Sequence, residues 1–177
     1  MFDSAPVLTT KRLVLRAHTT DDFAACLAMW SDPDVIGFIG GKPSTPGEVW
    51  FRLLRYGGLW SLLGYGYWAI TDRASGDFLG EAGLADFKRE ISPSLGNIPE
   101  TGWALCAAAH GQGLATEAMQ AILKWSDENV AVGSTCCLID SANTASIRLA
   151  EKLGYTADQD AVFPNKNKVM VYRRPRA

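Results

Sequence analysis

Histidine is scarce in this sequence: His18 and His110 are the only two. The four cysteines, Cys26, Cys106, Cys136 and Cys137, include no C-x-x-C pair. Such spacing offers no zinc-ligand set, so no metal is expected. Cysteines of this kind are expected to be reduced and mostly buried, as in a cytoplasmic protein. No run approaches the ~18 apolar residues of a membrane span. The opening residues, MFDSAP, lack the basic-then-apolar order of a secretory leader. Positive charge is not in excess either. The 17 Lys and Arg against 19 Asp and Glu give a formal net charge of -2, which argues against nucleic acid as the main ligand. No repeat or low-complexity run suggests a solenoid or a linker.

What remains is a chain of 177 residues, 47% of them hydrophobic. That is enough to bury a core without a staple, and it predicts a single domain over residues 1–177. Leu8–Arg16 reads as a strand. Thr19 to Asp22 reads as a helix start, followed by Phe23, Leu27 and Trp30 on one apolar face. Residues 37–47 form a Gly- and Pro-rich loop. Thr45-Pro46-Gly47-Glu48 has the pattern of a capping box, opening a helix over Val49–Arg55 that is expected to stop near Gly57-Gly58. Tyr65–Thr71 and Phe78–Leu84 predict an antiparallel hairpin. Glu100–Cys106, Thr135–Ile139 and Lys168–Tyr172 are further strands. Two helices alternate with them, one from Leu114 to about Asn129 and one from Asn143 to Leu153, the latter closed by Gly154. The order defines a mixed α/β fold.

The informative stretch follows a strand and opens a helix: His110-Gly111-Gln112-Gly113-Leu114-Ala115-Thr116-Glu117-Ala118. Two glycines one residue apart allow a tight turn, and the helix start adds unpaired N–H groups and a positive dipole end. Together they make an anion cradle suited to a pyrophosphate. A ligand-free glycine turn has the same local pattern. The stretch is not a phosphate-binding G-K-[ST] loop, and Thr116 replaces the third glycine of a dinucleotide fingerprint.

This segment resembles the acetyl-CoA pyrophosphate loop, Q/R-x-x-G-x-G/A, of the GCN5-related N-acetyltransferases (GNAT). Asn143 to Tyr155 (NTASIRLAEKLGY) is similar to that family's second signature. Leu8 to Arg16 (LTTKRLVLR) resembles the opening of its ribosomal-protein N-terminal acetyltransferase (RimJ/RimL-type) branch. The resemblance implies a mostly antiparallel sheet flanked by about four helices, with splayed fourth and fifth strands. It implies that Trp103, Ala104 and Leu105 meet the pantetheine arm by main-chain contacts, an added-strand geometry. It places the pyrophosphate on Gly111, Gln112, Gly113, Leu114, Ala115 and Thr116. His110, which stands where the wider family prefers Gln or Arg, is a candidate cofactor contact, weaker toward phosphate than an arginine.

Many relatives use a tyrosine seven residues after the helix-opening Asn as the acid for the departing thiolate; here that position is Ala150. The resemblance points instead to Ser146, with Asn143 beside it as a cofactor contact. Both residue types are also ordinary helix-cap residues. A carboxylate could relay the ammonium proton through water, and Glu100 is the leading candidate, with Glu81 second. Positioning alone can also suffice. The expected activity is acetyl-CoA-dependent transfer of an acetyl group to a primary amine, on a protein N-terminus or a small molecule. A non-catalytic acyl-CoA-binding protein of the same fold is the alternative. Four early tryptophans, Trp30, Trp50, Trp60 and Trp68, fall where this family builds its acceptor site; Trp125 is expected on a core face.

Overall fold

The stretch expected as one strand over Leu8–Arg16 folds as a hairpin in the computed structural model, which describes residues 3–176. Strand β1 (Leu8–Thr9) turns at Thr10–Arg12 and pairs antiparallel with β2 (Leu13–Arg16), Leu8 opposite Leu15. A 3-10 turn at Thr20–Asp22 leads into α1 (Phe23–Met29). Pro33, which excludes its predecessor from helical geometry, occupies the first turn of a short helix, α2 (Pro33–Ile36), with Asp32 as its cap.

Helix α3 runs Pro46–Leu63, straight through Gly57-Gly58 and beyond the expected end. Each helical glycine costs about 1 kcal/mol relative to alanine. The helix continues because its apolar face, Val49, Leu53, Tyr56, Leu59 and Trp60, is buried along the whole length. It ends at Gly64, in the left-handed region at φ 73°. The Thr45–Glu48 capping box forms as expected.

Strands β3 (Tyr67–Asp72) and β4 (Phe78–Ala85) make the predicted hairpin, and β5 (Glu100–Leu105) pairs antiparallel with β4. Helix α4 (Leu114–Asn129), β6 (Ser134–Ile139) and α5 (Thr144–Lys152) follow in the predicted order. Strand β7 (Thr156–Val162), whose start the sequence puts at Tyr155, pairs with β8 (Lys168–Pro175). The strands form one sheet, ordered β1-β2-β3-β4-β5-β6-β8-β7. Every neighbouring pair is antiparallel except β5 and β6.

Those two parallel strands share a single register pair, Glu100 opposite Cys136, and then diverge. This is the splay that the family resemblance implied. The main core lies between the sheet and α4, and an edge-to-face triad of Trp60, Trp68 and Trp125 anchors it, with centroids 4.6–5.3 Å apart. Two of the four early tryptophans are thus core residues. Trp50 is partly exposed and meets Phe23 edge-on, which leaves Trp30 for the cleft described below. No helix among the described residues is long and apolar enough to cross a membrane.

Candidate active site

The Gly111–Thr116 turn starts α4. Gly111 and Gly113 have φ of 72° and 75°, a conformation open to glycine but strained for other residues. Among the described residues, no backbone acceptor is paired with the N–H groups of Gly111 through Thr116. The helix start therefore presents a row of donors, as an anion cradle requires.

The first hairpin holds this turn from behind. Glu117 accepts from the Thr10 hydroxyl at 2.6 Å, the Arg12 N–H at 2.8 Å and Arg12 Nε at 2.7 Å. Arg12 Nη1 also reaches the Gln112 carbonyl at 2.9 Å. Burial pushes the Glu117 pKa up, but the Thr10 and Arg12 bonds together outweigh it and hold the carboxyl below its ordinary value. Besides complementing its own helix dipole, Glu117 joins the turn to the start of the chain. His110 Nε2 donates to the Leu105 carbonyl at 2.8 Å, and Gln112 Nε2 to the Ala108 carbonyl at 2.7 Å. Both side chains are thus spent on shaping the turn.

The opening between β5 and β6 is pinned at its closed end by a buried hydroxyl chain. Thr101 donates to the Cys136 carbonyl at 3.1 Å, so it must accept from the Tyr155 hydroxyl at 2.9 Å. Tyr155 in turn accepts from Thr135 at 2.7 Å. Beyond this pin, Trp103, Ala104 and Leu105 pair with β4 on one side and have no β6 partner on the other. Gly102 is required here, because a Cβ would sit inside van der Waals distance of the Tyr67 hydroxyl.

Across the opening, the Asn143 side chain caps α5 by accepting the Ser146 N–H at 3.0 Å. Ser146 Oγ lies 3.3 Å from Trp103 Nε1. An indole can only donate, so Oγ is the acceptor and the serine keeps its own proton for another partner. Cap and cleft-facing group coexist in one pair of residues. Ala150 is wholly buried in the core, so α5 offers no acid at that position.

A cleft of about 840 Å³ runs from Asn143 and Ser146 past Trp103 to Glu81, Glu100 and the arginines of α3. Its volume lies within the range of small-molecule sites. Glu100 is gripped by Arg89 in a forked ion pair at 2.5 and 2.7 Å. Glu81 is 1% exposed. One of its oxygens accepts from the Tyr56 hydroxyl and lies 4.0 Å from Arg52 Nη1; the other is buried without a partner among the described residues. Burial pushes the Glu81 pKa up, only partly offset by Arg52, Tyr56 and Trp30. Burial also raises the Tyr56 and Tyr67 hydroxyls far above their usual range. Neither ring was singled out from the sequence. Their parallel stack, 4.7 Å between centroids, forms the wall behind Glu81.

His18, Cys26 and Glu81 bring nitrogen, sulfur and oxygen atoms within 4.8 Å of one another. Burial lowers the His18 pKa to about 4 and raises the Cys26 thiol far above its usual range, so both are neutral. The positive charge beside Glu81 is already supplied by Arg52. The three therefore read as a buried polar cluster, of which Glu81 lines the cleft. Cys137, on the cleft wall, and Cys106 are likewise raised by burial. None of the thiols is poised as a thiolate nucleophile.

The family described as the acetyltransferase (GNAT) domain matches residues 12–156, and the chain belongs to it. Over 171 residues it is 31% identical to YkkB of Bacillus subtilis (strain 168), an uncharacterized protein, with 94% of each covered. A Bordetella pertussis structure assigned to the GnaT acetyltransferase family is 34% identical, with a TM-score of 0.84, covering 96% of this chain and 99% of the other. An acetyltransferase structure from Agrobacterium tumefaciens str. C58 is 27% identical, with a TM-score of 0.81, covering 98% and 96%. The activity class is acetyl-CoA-dependent acyl transfer.

Proposed function

We propose that this protein transfers acetyl from acetyl-CoA directly to a primary amine, in the cytoplasm. One observation carries the reading: the free edge of β5 and the available Ser146 proton share one cleft, and β5 itself leads on into the unpaired amides at the start of α4. Gly111–Thr116 hold the pyrophosphate. Trp103, Ala104 and Leu105 offer main-chain groups to the pantetheine arm, and Asn143 fixes the helix that presents Ser146.

The acceptor amine attacks the thioester carbonyl carbon, and the carbon–sulfur bond breaks as the tetrahedral intermediate collapses. The Ser146 hydroxyl donates a hydrogen bond to the departing sulfur. Glu81 rather than Glu100 takes the ammonium proton, because Arg89 occupies both oxygens of Glu100 while one Glu81 oxygen is unspent. Its raised pKa makes Glu81 a stronger base than an ordinary carboxylate. Direct transfer fits a cleft without an activated thiol. The four unpaired cysteines suit a reducing compartment.

The LTTKRLVLR opening is similar to the ribosomal-protein branch, yet Thr10 and Arg12 are spent on Glu117 and the Gln112 carbonyl. That motif supports the loop and carries no information on the acceptor. The test is a thermal shift with acetyl-CoA followed by thiol release across an amine panel. At about 100 times Kd, the ligand adds roughly 2.7 kcal/mol of stability. Gly113→Glu, which strains the turn and places a negative charge in the cradle, abolishes the shift. A shift without thiol release from any amine identifies a non-catalytic acyl-CoA-binding protein instead; no shift refutes the cofactor assignment.

A further inference from the structure

Two arginines on α3 line the cleft with their hydrogen-bonding edges largely unspent. Arg52 and Arg55 are three residues apart, on one face of the helix. Arg52 lies face-on over Trp30, 3.8 Å from its centroid, and gives only Nη1 to the Tyr56 hydroxyl, at 3.4 Å. Its Nε is buried without a partner among the described residues. Arg55 stacks over Phe87 at 4.9 Å and lies 5.9 Å from the Tyr56 ring. No described carboxylate forms an ion pair with Arg55.

Stacking uses the face of a guanidinium and leaves its in-plane N–H fork free. Such a fork matches the two oxygens of a carboxylate. Two acids face three arginines at this end: Arg89 holds Glu100, and Glu81, one oxygen bonded by Tyr56 and the other open, lies 4.0 Å from Arg52. This end of the cleft is therefore deficient in negative charge, and a polyamine would meet uncompensated arginines.

We infer that the acceptor is a small amine that also carries a carboxylate, of the amino-acid class, with Arg55 and Arg52 binding the carboxylate and the amine directed toward Glu81. The inference rests on the acyl-transfer reading above and assigns its substrate class. A carboxylate seated on Arg55 fixes the other end of a short molecule, so the amine is positioned by the same contact that selects it.

Thiol release measured with the common amino acids, their amides and spermidine tests it. The best acid is preferred over its own amide by about tenfold or more in kcat/KM. Arg55→Ala collapses that ratio, chiefly through KM, and Arg55→Lys, which keeps the charge but loses the fork, falls between. Preference for amides or spermidine, or a ratio unchanged by Arg55→Ala, overturns the inference. Calorimetry of the acids on CoA-loaded protein separates the two claims. Acid binding that Arg55→Ala weakens, with no thiol release, removes catalysis but keeps the carboxylate site. Thiol release without acid preference keeps catalysis and removes the site, and absence of both binding and preference overturns it.

Discussion

Replacing Ser146 with alanine separates its two roles, because they use different atoms. The helix cap runs from the Ser146 backbone N–H to Asn143, and alanine retains that N–H. Only Oγ is lost, and with it the 3.3 Å bond from Trp103 Nε1 and the proton available to the departing sulfur. The Trp103 bond is long and part-buried, so its loss costs at most about 1 kcal/mol of stability. A hydrogen bond to a charged group contributes about 1.5–3 kcal/mol, which converts to a roughly ten- to hundredfold loss in kcat. Acetyl-CoA affinity, set by the α4 turn and the β5 edge, stays within about twofold. Stopped-time thiol release gives kcat, calorimetry gives affinity and a melting curve controls for folding. Unchanged kcat in a folded variant would make Ser146 a capping residue only. A parallel collapse of affinity would show that Oγ binds ground-state cofactor rather than the leaving thiolate.

Further outcomes concern the base and the pin between the splayed strands. The activity of a Glu81 base requires the ionised form, so kcat/KM rises with pH through a value above the ordinary 4.5 and then levels off. Glu81→Gln removes that limb and lowers turnover by about a hundredfold or more; a profile shared by both proteins refutes the assignment. Because folding raises this pKa, the native state binds the proton more tightly. The stability Glu81 contributes is fully present below the unfolded value, is lost as pH rises through the folded one, and the Gln variant lacks this slope in denaturant titrations. Tyr155→Phe deletes the central hydroxyl of the Thr135–Tyr155–Thr101 chain. It costs about 2 kcal/mol, or roughly 4–8 °C in Tm, with near-normal secondary structure by circular dichroism. A shift below 1 °C would show that the chain does not hold the strands.

The parts of the candidate site that were legible in the sequence are local ones. Gly111 and Gly113 must be glycine because of the backbone they adopt, and Asn143 caps the turn containing Ser146. Spacing of a few residues is enough to read such features. The end of α3 was misread for the opposite reason: Gly57-Gly58 is a local stop signal, overridden by distant packing of Leu59 and Trp60. Strand β7 was legible only at its start, because the residues that follow Tyr155, TADQDAV, are mostly exposed on a sheet edge and show no apolar alternation. The electrostatics of the cleft were beyond reach altogether. Glu100 looked like a free carboxylate until Arg89 closed on it, and the Tyr56 partner of Glu81 lies 25 residues away in the chain. Arg52 and Arg55 gave no signal, since unpaired arginines on a helix usually mean a solvated face.

The tie between Arg12 and Glu117 spans 105 residues of sequence. Closing so long a segment is entropically slower than forming the helices and hairpins within it. The turn at the start of α4 is therefore among the last parts of the molecule to be braced. A chain that has built its second half but not yet docked its first hairpin carries every glycine of the cradle, and has no firm grip on a pyrophosphate. On the function proposed above, the capacity to hold the acyl donor arrives together with completion of the fold.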